Sequence, residues 1–345
     1  MLIRRQLKTL GVPLDNNATS YHRVIQPLYE LMQKGHPVQF LGPQETQPQQ
    51  YEWADVLYIQ CLYAPDAYQF YASQKKAGKG IIIDFDDDYI NIPEDSPEQT
   101  EIIDKSTGES YSFPPHLRSV YVQMFVQLAD VLVVTTEPLK QLYSPWAKNI
   151  QVIPNCVSKD MERDIPKGKN DKVRLLWSGS NSHLPDLELL KEPLSKIASK
   201  YGDRVEFHFQ GGLPFEDIFT DFPIITHDMC DFENYLNVIQ DINPDIALAP
   251  LVDNSFNNCK SNLKFSQMTL MEAAFIGSKL GPYLDIEEYK EGFLAKNEKD
   301  WVEKISKLIE DENLRKSCVA NAKKLVRNNY YIDKHINRWQ SLLTG

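Results

Sequence analysis

Residues 172–190, KVRLLWSGSNSHLPDLELL, change character twice within a short span. VRLLW, apolar but for Arg174 and bounded by polar residues, has the pattern of a buried strand. The small residues of SGS end it. From there LPDLELLKEPLSKIASKYG places Leu187, Leu190, Leu194 and Ile197 on one helical face. A strand running through a small-residue turn into an amphipathic helix is the opening of a parallel α/β unit. Backbone amides at such a turn can meet phosphate oxygens, which makes Gly179 and Ser180 candidate ligands. The stretch has neither the Gly-Lys-Ser/Thr ending of a P-loop nor a GxGxxG, so an ordinary strand-to-helix turn is the competing reading. His183 and Asp186 read either as a capping pair or as a catalytic one.

The same alternation extends in both directions. VEFHFQGG, FPIITH and DIALAPL follow as strands; HPVQFLG, ADVLYIQ, GIIIDFD, ADVLVVTT and IQVIPN precede. Helical segments lie between them, two of which (SYHRVIQPLYELMQKG and PDAYQFYASQKKAG) close on Gly35 and Gly78. Strands apolar on both faces and separated by helices imply a parallel sheet covered on both sides. VSKDMERDIPKGKNDK, polar and aperiodic, interrupts the pattern as a linker. The expected fold is therefore α/β, with two tandem doubly wound, Rossmann-like domains facing a cleft. The first spans 1–155, the linker 156–170 and the second 171–329. The amphipathic tail, about 330–345, packs either back on the first domain or on the second.

The 345 residues suit two domains, and 42% hydrophobic residues suffice for packed interiors. Lys plus Arg number 37 against 48 Asp plus Glu, a formal charge of −11, which disfavours a broad nucleic-acid surface. The five cysteines form no CxxC pair, so neither a zinc site nor a disulfide framework is expected. With no signal-like N-terminus and no apolar run of the ~18 residues a membrane span needs, the expectation is a soluble, cytoplasmic protein.

Three further stretches carry candidate chemistry. In NNCKSNLKFSQMTLMEAAF (257–275), Ser261 or Asn262 is a candidate N-cap, and Met268, Met271 and Phe275 a candidate buried stripe. Lys260, Lys264 and Gln267 then share another face near the helix start, where free amides and the helix dipole favour an anion. The lysines either hold a diphosphate or solvate an exposed turn. IIIDFDDDYINIP crowds Asp84, Asp86, Asp87 and Asp88 at a strand end, the edge where parallel sheets bind ligands. Such carboxylates need cations or donors opposite. A divalent metal, acceptor hydroxyls and capping of neighbouring helix starts are the readings. In NNATSYHRVIQPLYEL, Ser20 is a candidate cap, and His22 and Arg23 fall in the first turn. Arg23 is either further positive charge for the phosphates or a surface residue.

Together, in order and spacing, these stretches resemble a glycosyltransferase of GT-B fold and family 4 type. ADVLVVTTEPLKQLY with IQVIPNCV resembles the end of that family's first domain, and VRLLWSGSNSHLPDLELL the start of its nucleotide-sugar domain. IALAPLVDNSFNNCKSNLKFSQ resembles the segment before the donor helix, ATSYHRVIQPLYELMQKGHPV the opening helix, and DFDDDYINIP also recurs in this branch. The resemblance implies a retaining, metal-independent hexosyl- or pentosyltransferase. Its co-substrate would be a nucleotide diphosphate sugar, UDP- or GDP-linked, with no permanently bound cofactor, and its acceptor a glycan or other hydroxyl. It implies that Gly179, Ser180, Lys260, Lys264 and the amides near Asn262 and Leu263 bind the diphosphate, and that Gln267 faces the ribose. His22, Arg23, Asp86, Asp87 and Asp88 fall on the acceptor side. The chain departs from the pattern: Cys259 and Gln267 occupy the places of two glutamates, and Glu272 and Ala274 those of a glycine and a proline. Two alternatives stand beside it. One is glycosylation of hydroxymethylated DNA bases, through a local groove of Arg4, Arg5, Lys8 and Arg118. The other is a non-catalytic nucleotide-sugar binder.

Overall fold

The computed structural model describes residues 6–14, 17–42, 46–60, 65–93, 102–103, 110–111, 115–163, 166–180, 183–212 and 214–344. The chain divides into two compact units. Met1–Cys156, Cys259–Ser261 and Ile332–Gly345 make the first; Val157–Asn258 and Asn262–Tyr331 make the second.

The first unit is built on β1 (Thr9–Val12), β2 (Val38–Phe40), β3 (Val56–Gln60), β4 (Gly80–Phe85), β5 (Val131–Val134) and β6 (Ile150–Val152). They form one parallel sheet in the order β2-β1-β3-β4-β5-β6. Alternate residues enter different cores. Tyr58, Ile82 and Val133 join one, while Leu57, Ile59, Ile81, Ile83, Leu132 and Val134 join the other. Both faces are thus covered, as unbroken apolar strands require.

Ahead of α1 (Gln26–Gln33) lie a helical turn, Ala18–Ser20, and a π-helical turn, Tyr21–Ile25, closed by the Gln26 amide donating to the Tyr21 carbonyl. Pro27 has no N–H to offer the Arg23 carbonyl, and a widened turn accommodates that loss. The cap position is Asn17, with Ser20 inside the helical segment, so Ser20 is not the cap. His22, Arg23 and Val24 all turn into the interior.

The second unit carries β7 (Val173–Ser178), β8 (Val205–Gln210), β9 (Ile225–His227), β10 (Ile246–Ala249), β11 (Ala274–Ser278) and β12 (Phe293–Ala295). Its parallel sheet runs β9-β8-β7-β10-β11-β12. The order reverses between β7 and β10, and ligands of such sheets bind beyond the carboxyl ends at that switch point. Three helices bear on this edge: α2 (Leu184–Glu188), α3 (Phe232–Ile242) and α4 (Leu263–Leu270). Further along the chain, α5 (Ile332–Leu342) belongs to the first unit, where Ile332, Ile336 and Trp339 enter the core beside Val24, Leu28 and Tyr58.

Phe275 corrects one expectation. α4 stops at Leu270, Glu272 adopts φ 62°, and Phe275 lies in β11 rather than on the helical stripe of Met268 and Met271. Glu272 is held there by Lys167 Nζ on its carbonyl (2.9 Å) and Lys323 Nζ on its carboxylate (2.6 Å).

Candidate functional site

In the second unit the carboxyl end of β7 is shaped by its glycine. A Cβ at Gly179 would lie 2.8 Å from the Trp177 ring and 3.3 Å from His183, so the indole can pack under the turn only if this residue has no side chain. At the end of β8, Gly211 adopts φ +147°, and a Cβ there would meet the Gly179 carbonyl at 2.1 Å. Two neighbouring strand ends therefore come together backbone to backbone. The sequence VEFHFQGG gives no sign of it, since Gly211 there reads as the end of a strand.

Lys264, in the first turn of α4, reaches this edge. Its Nζ donates to Ser178 Oγ (3.3 Å) and to the Tyr235 hydroxyl (3.2 Å), and the two hydroxyls bond each other at 2.7 Å. The ammonium also lies 5.5 Å from the centre of the Tyr235 ring. No carboxylate among the described residues pairs with Lys264. Tyr235 stands on α3, whose N-cap Asp231 accepts from the Asn234 amide. Asn262 holds the N-cap position of α4 without a side-chain cap bond, so the amides of the first turn, beginning with Leu263, keep the donor character of a helix start. Gln267 is buried on the same helix.

Asp186 is a brace. Its carboxylate takes His183 Nδ1 (2.8 Å), the Val252 amide (2.7 Å) and Asn257 Nδ2 (2.8 Å), tying α2 to the loop after β10. A pocket of about 560 Å³ opens at the carboxyl ends of β10, β11 and β12, lined in part by Val252, Ser278, Ala295, Asn297 and Trp301. A cavity of about 870 Å³ lies at the opposite edge, around Lys167, Val173, Asp245 and Arg315, away from Lys264; its lining mixes lysines and arginines with aspartates and glutamates.

In the first unit, Arg23 and Asp84 form a fully buried pair, both side chains 0% exposed. Nε meets Oδ1 at 2.8 Å and Nη2 meets Oδ2 at 2.9 Å, while Nη1 donates to the Ile153 carbonyl and Asn155 Oδ1. The Tyr58 hydroxyl donates to Asp84, Trp339 Nε1 donates to Tyr58 (3.0 Å), and the Trp339 ring lies 5.6 Å from the guanidinium. Arg23 is thus neutralised inside the fold, which corrects the expectation that it offers charge to a phosphate. His22 is likewise fully buried, with Nδ1 donating to the Cys156 carbonyl at 2.7 Å; burial lowers its pKa to about 4 and keeps it neutral. It is a packing residue and makes no surface for an acceptor.

The carboxylate cluster separates by role. Asp88 is fully buried and accepts from the Ile90 and Asn91 amides and from Asn91 Nδ2, so it shapes a turn. That corrects its assignment to an acceptor. Asp87 pairs with Lys260 at 3.3 Å. Asp86 is 8% exposed and accepts from the Tyr89 hydroxyl at 2.6 Å. Burial first, and then the Asp87 charge, raises its pKa to about 7. Among the described residues no cluster of three or more His, Cys, Asp or Glu side chains could hold a metal ion.

Lys260 and Lys264 do not share a helix face. Cys259–Ser261 precedes α4 and belongs to the first unit, where Thr136 Oγ1 donates to the Cys259 carbonyl and Asn155 Nδ2 to Ser261 Oγ. Spacing alone put both lysines on one helix, but α4 begins at Leu263, after Lys260. Cys259 is buried, and its thiol is pushed up to about 12 by burial and then by Asp88 and Asp87, so this position carries no charge. Arg118 is buried, and Arg4 and Arg5 lie outside the described residues.

The two six-stranded parallel sheets with their flanking helices are the GT-B fold. No protein-family profile and no curated protein sequence matches the chain. Among solved structures it is similar to HepE of Anabaena in complex with UDP and glucose, with TM-score 0.69 and 12% identity over 98% of this chain and 99% of that one. Sucrose-phosphate synthase of Thermosynechococcus elongatus gives TM-score 0.70 and 10% identity, over 98% of each chain. TarM gives TM-score 0.60 and 15% identity over 84% of this chain, which spans only 54% of the TarM chain.

Proposed function

We propose that the chain is a glycosyltransferase that moves a sugar from a nucleotide diphosphate sugar to an acceptor hydroxyl, with retention of configuration and without a metal. The observation that carries this reading is the Lys264 ammonium at the β7 switch-point edge, bonded to two hydroxyls and to no carboxylate among the described residues. A departing diphosphate needs positive charge and donors already in place, and a lysine beside a helix start supplies both. Lys264, Gly179, Ser180 and the amides of Asn262 and Leu263 hold the diphosphate in this reading, and Gln267 faces the ribose. Lys264 takes the charge-neutralising role; Lys260 serves the first unit as the partner of Asp87. Asp86 and Asp87 receive acceptor hydroxyls. The nucleotide phosphate takes the acceptor's proton, so no separate nucleophile is required.

UDP-sugars are the first donors to try, because HepE was crystallised with UDP and with UDP-glucose; GDP-sugars follow. A glycan is the acceptor class, and the setting is the cytoplasm. Nucleotide release from a panel of UDP- and GDP-sugars, with and without glycan acceptors, tests the proposal. Sugar-dependent release supports it, and no binding of any nucleotide refutes it. A non-catalytic binder remains as a second reading because uncharged Cys259 and Gln267 replace two acids; tight binding without turnover on any acceptor would favour it.

A further inference from the structure

The Ser178–Tyr235–Lys264 triangle has an uneven balance of donors and acceptors. Its sides are 2.7, 3.2 and 3.3 Å. An ammonium carries three N–H donors and each hydroxyl one O–H. Two of the N–H groups are directed to Ser178 Oγ and Tyr235 OH, and one hydroxyl proton occupies the bond between the oxygens. One N–H and one O–H then remain without a partner among the described residues. Both hydroxyl oxygens meanwhile already accept from the ammonium, so little acceptor capacity is left. A cluster with net positive charge and two spare donors is complementary to an oxyanion presenting two oxygens, and it is placed at the end of β7, beside Gly179.

We propose that Tyr235 and Ser178 are positioning residues that fix the Lys264 ammonium and, with it, present two donors to one phosphoryl group of a nucleoside diphosphate. This assignment rests on the donor reading above and adds to it the residues that make the lysine selective. Without the hydroxyls, a lysine side chain samples many rotamers and contacts phosphate as a mobile point charge. With them, the ammonium is held before the ligand arrives, and less ordering is left to be done on binding. Tyr235 supplies both the phenolic oxygen and a ring face beneath the cation, itself stacked on Phe232 with ring centres 6.3 Å apart.

The test is calorimetric titration of the whole protein with UDP, GDP, uridine and inorganic pyrophosphate, for wild type, Tyr235→Phe and Ser178→Ala. Melting curves check that each variant is folded. Tyr235→Phe keeps the ring and loses only the hydroxyl. Its diphosphate Kd should rise about tenfold, the usual effect of one lost hydrogen bond to a charged group, while uridine binding stays as in wild type. Equal nucleotide affinity in wild type and both variants overturns the positioning role and leaves the donor reading standing. Equal losses for UDP and uridine also overturn it, because they indicate general damage to the pocket. If neither nucleotide nor pyrophosphate binds the wild type, the donor reading and this assignment fall together.

Discussion

Replacing Asp84 with Asn separates the charge of the buried pair from its shape. The amide keeps nearly the same volume and one acceptor oxygen, but leaves the Arg23 guanidinium charged, 0% exposed and without its counter-ion. Two bonds, 2.8 and 2.9 Å, lose their charge assistance, and the Tyr58 hydroxyl loses a carboxylate acceptor. Removing one member of a buried ion pair typically costs 3–5 kcal/mol, and the retained amide oxygen puts Asp84→Asn near about 3 kcal/mol. Urea unfolding followed by tryptophan fluorescence measures this. It is fitted transition by transition because a two-unit chain need not unfold in one step. The double replacement Arg23→Met with Asp84→Leu removes both charges and should recover a large part of the loss. A cost for Asp84→Asn below about 1 kcal/mol, the range of exposed pairs, would refute the reasoning, since the guanidinium must then reach water or another carboxylate.

Asp86→Asn should change the pH dependence of stability. The folded carboxyl has its pKa raised from 3.8 to about 7, so the native state favours the protonated form. Its contribution is complete below about pH 4 and is lost as pH rises toward 7. At pH 8 the Asn variant should therefore melt higher than wild type, with the difference vanishing near pH 4; equal melting temperatures at pH 8 would contradict the burial argument. Gly179→Ala should weaken UDP binding while β7 stays paired, because the added methyl displaces Trp177; wild-type affinity by calorimetry would show that the turn tolerates it.

Much of the fold was legible because strands buried on both faces announce themselves as apolar runs: GIIIDFD and ADVLVVTT became β4 and β5 with cores on either side. β1 escaped because TLGV offers four residues, one of them glycine, too few for a period. β11 escaped because AFIGS continues the apolar run of α4, and the break falls at Glu272, whose positive φ no residue type signals. Lys264 was singled out by its spacing from a helix start, and its hydroxyl partners lie at the end of β7 and on α3. Tyr235 was not, because it lies far away in sequence and meets Lys264 only through the sheet order. Arg23 was misread for a related reason. A cation in a first helical turn looks exposed until a π-helical turn rotates it inward, onto Asp84.

What everything else depends on is that one fixed ammonium, at the tip of β7, receives the donor's phosphates. Calorimetric titration of UDP into wild type and Lys264→Ala, with exposed Lys196→Ala as control, measures this directly. The account predicts a loss of about 1.5–3 kcal/mol for Lys264→Ala, roughly ten- to a hundredfold in Kd, and none for the control. UDP bound with equal affinity by all three proteins would contradict it.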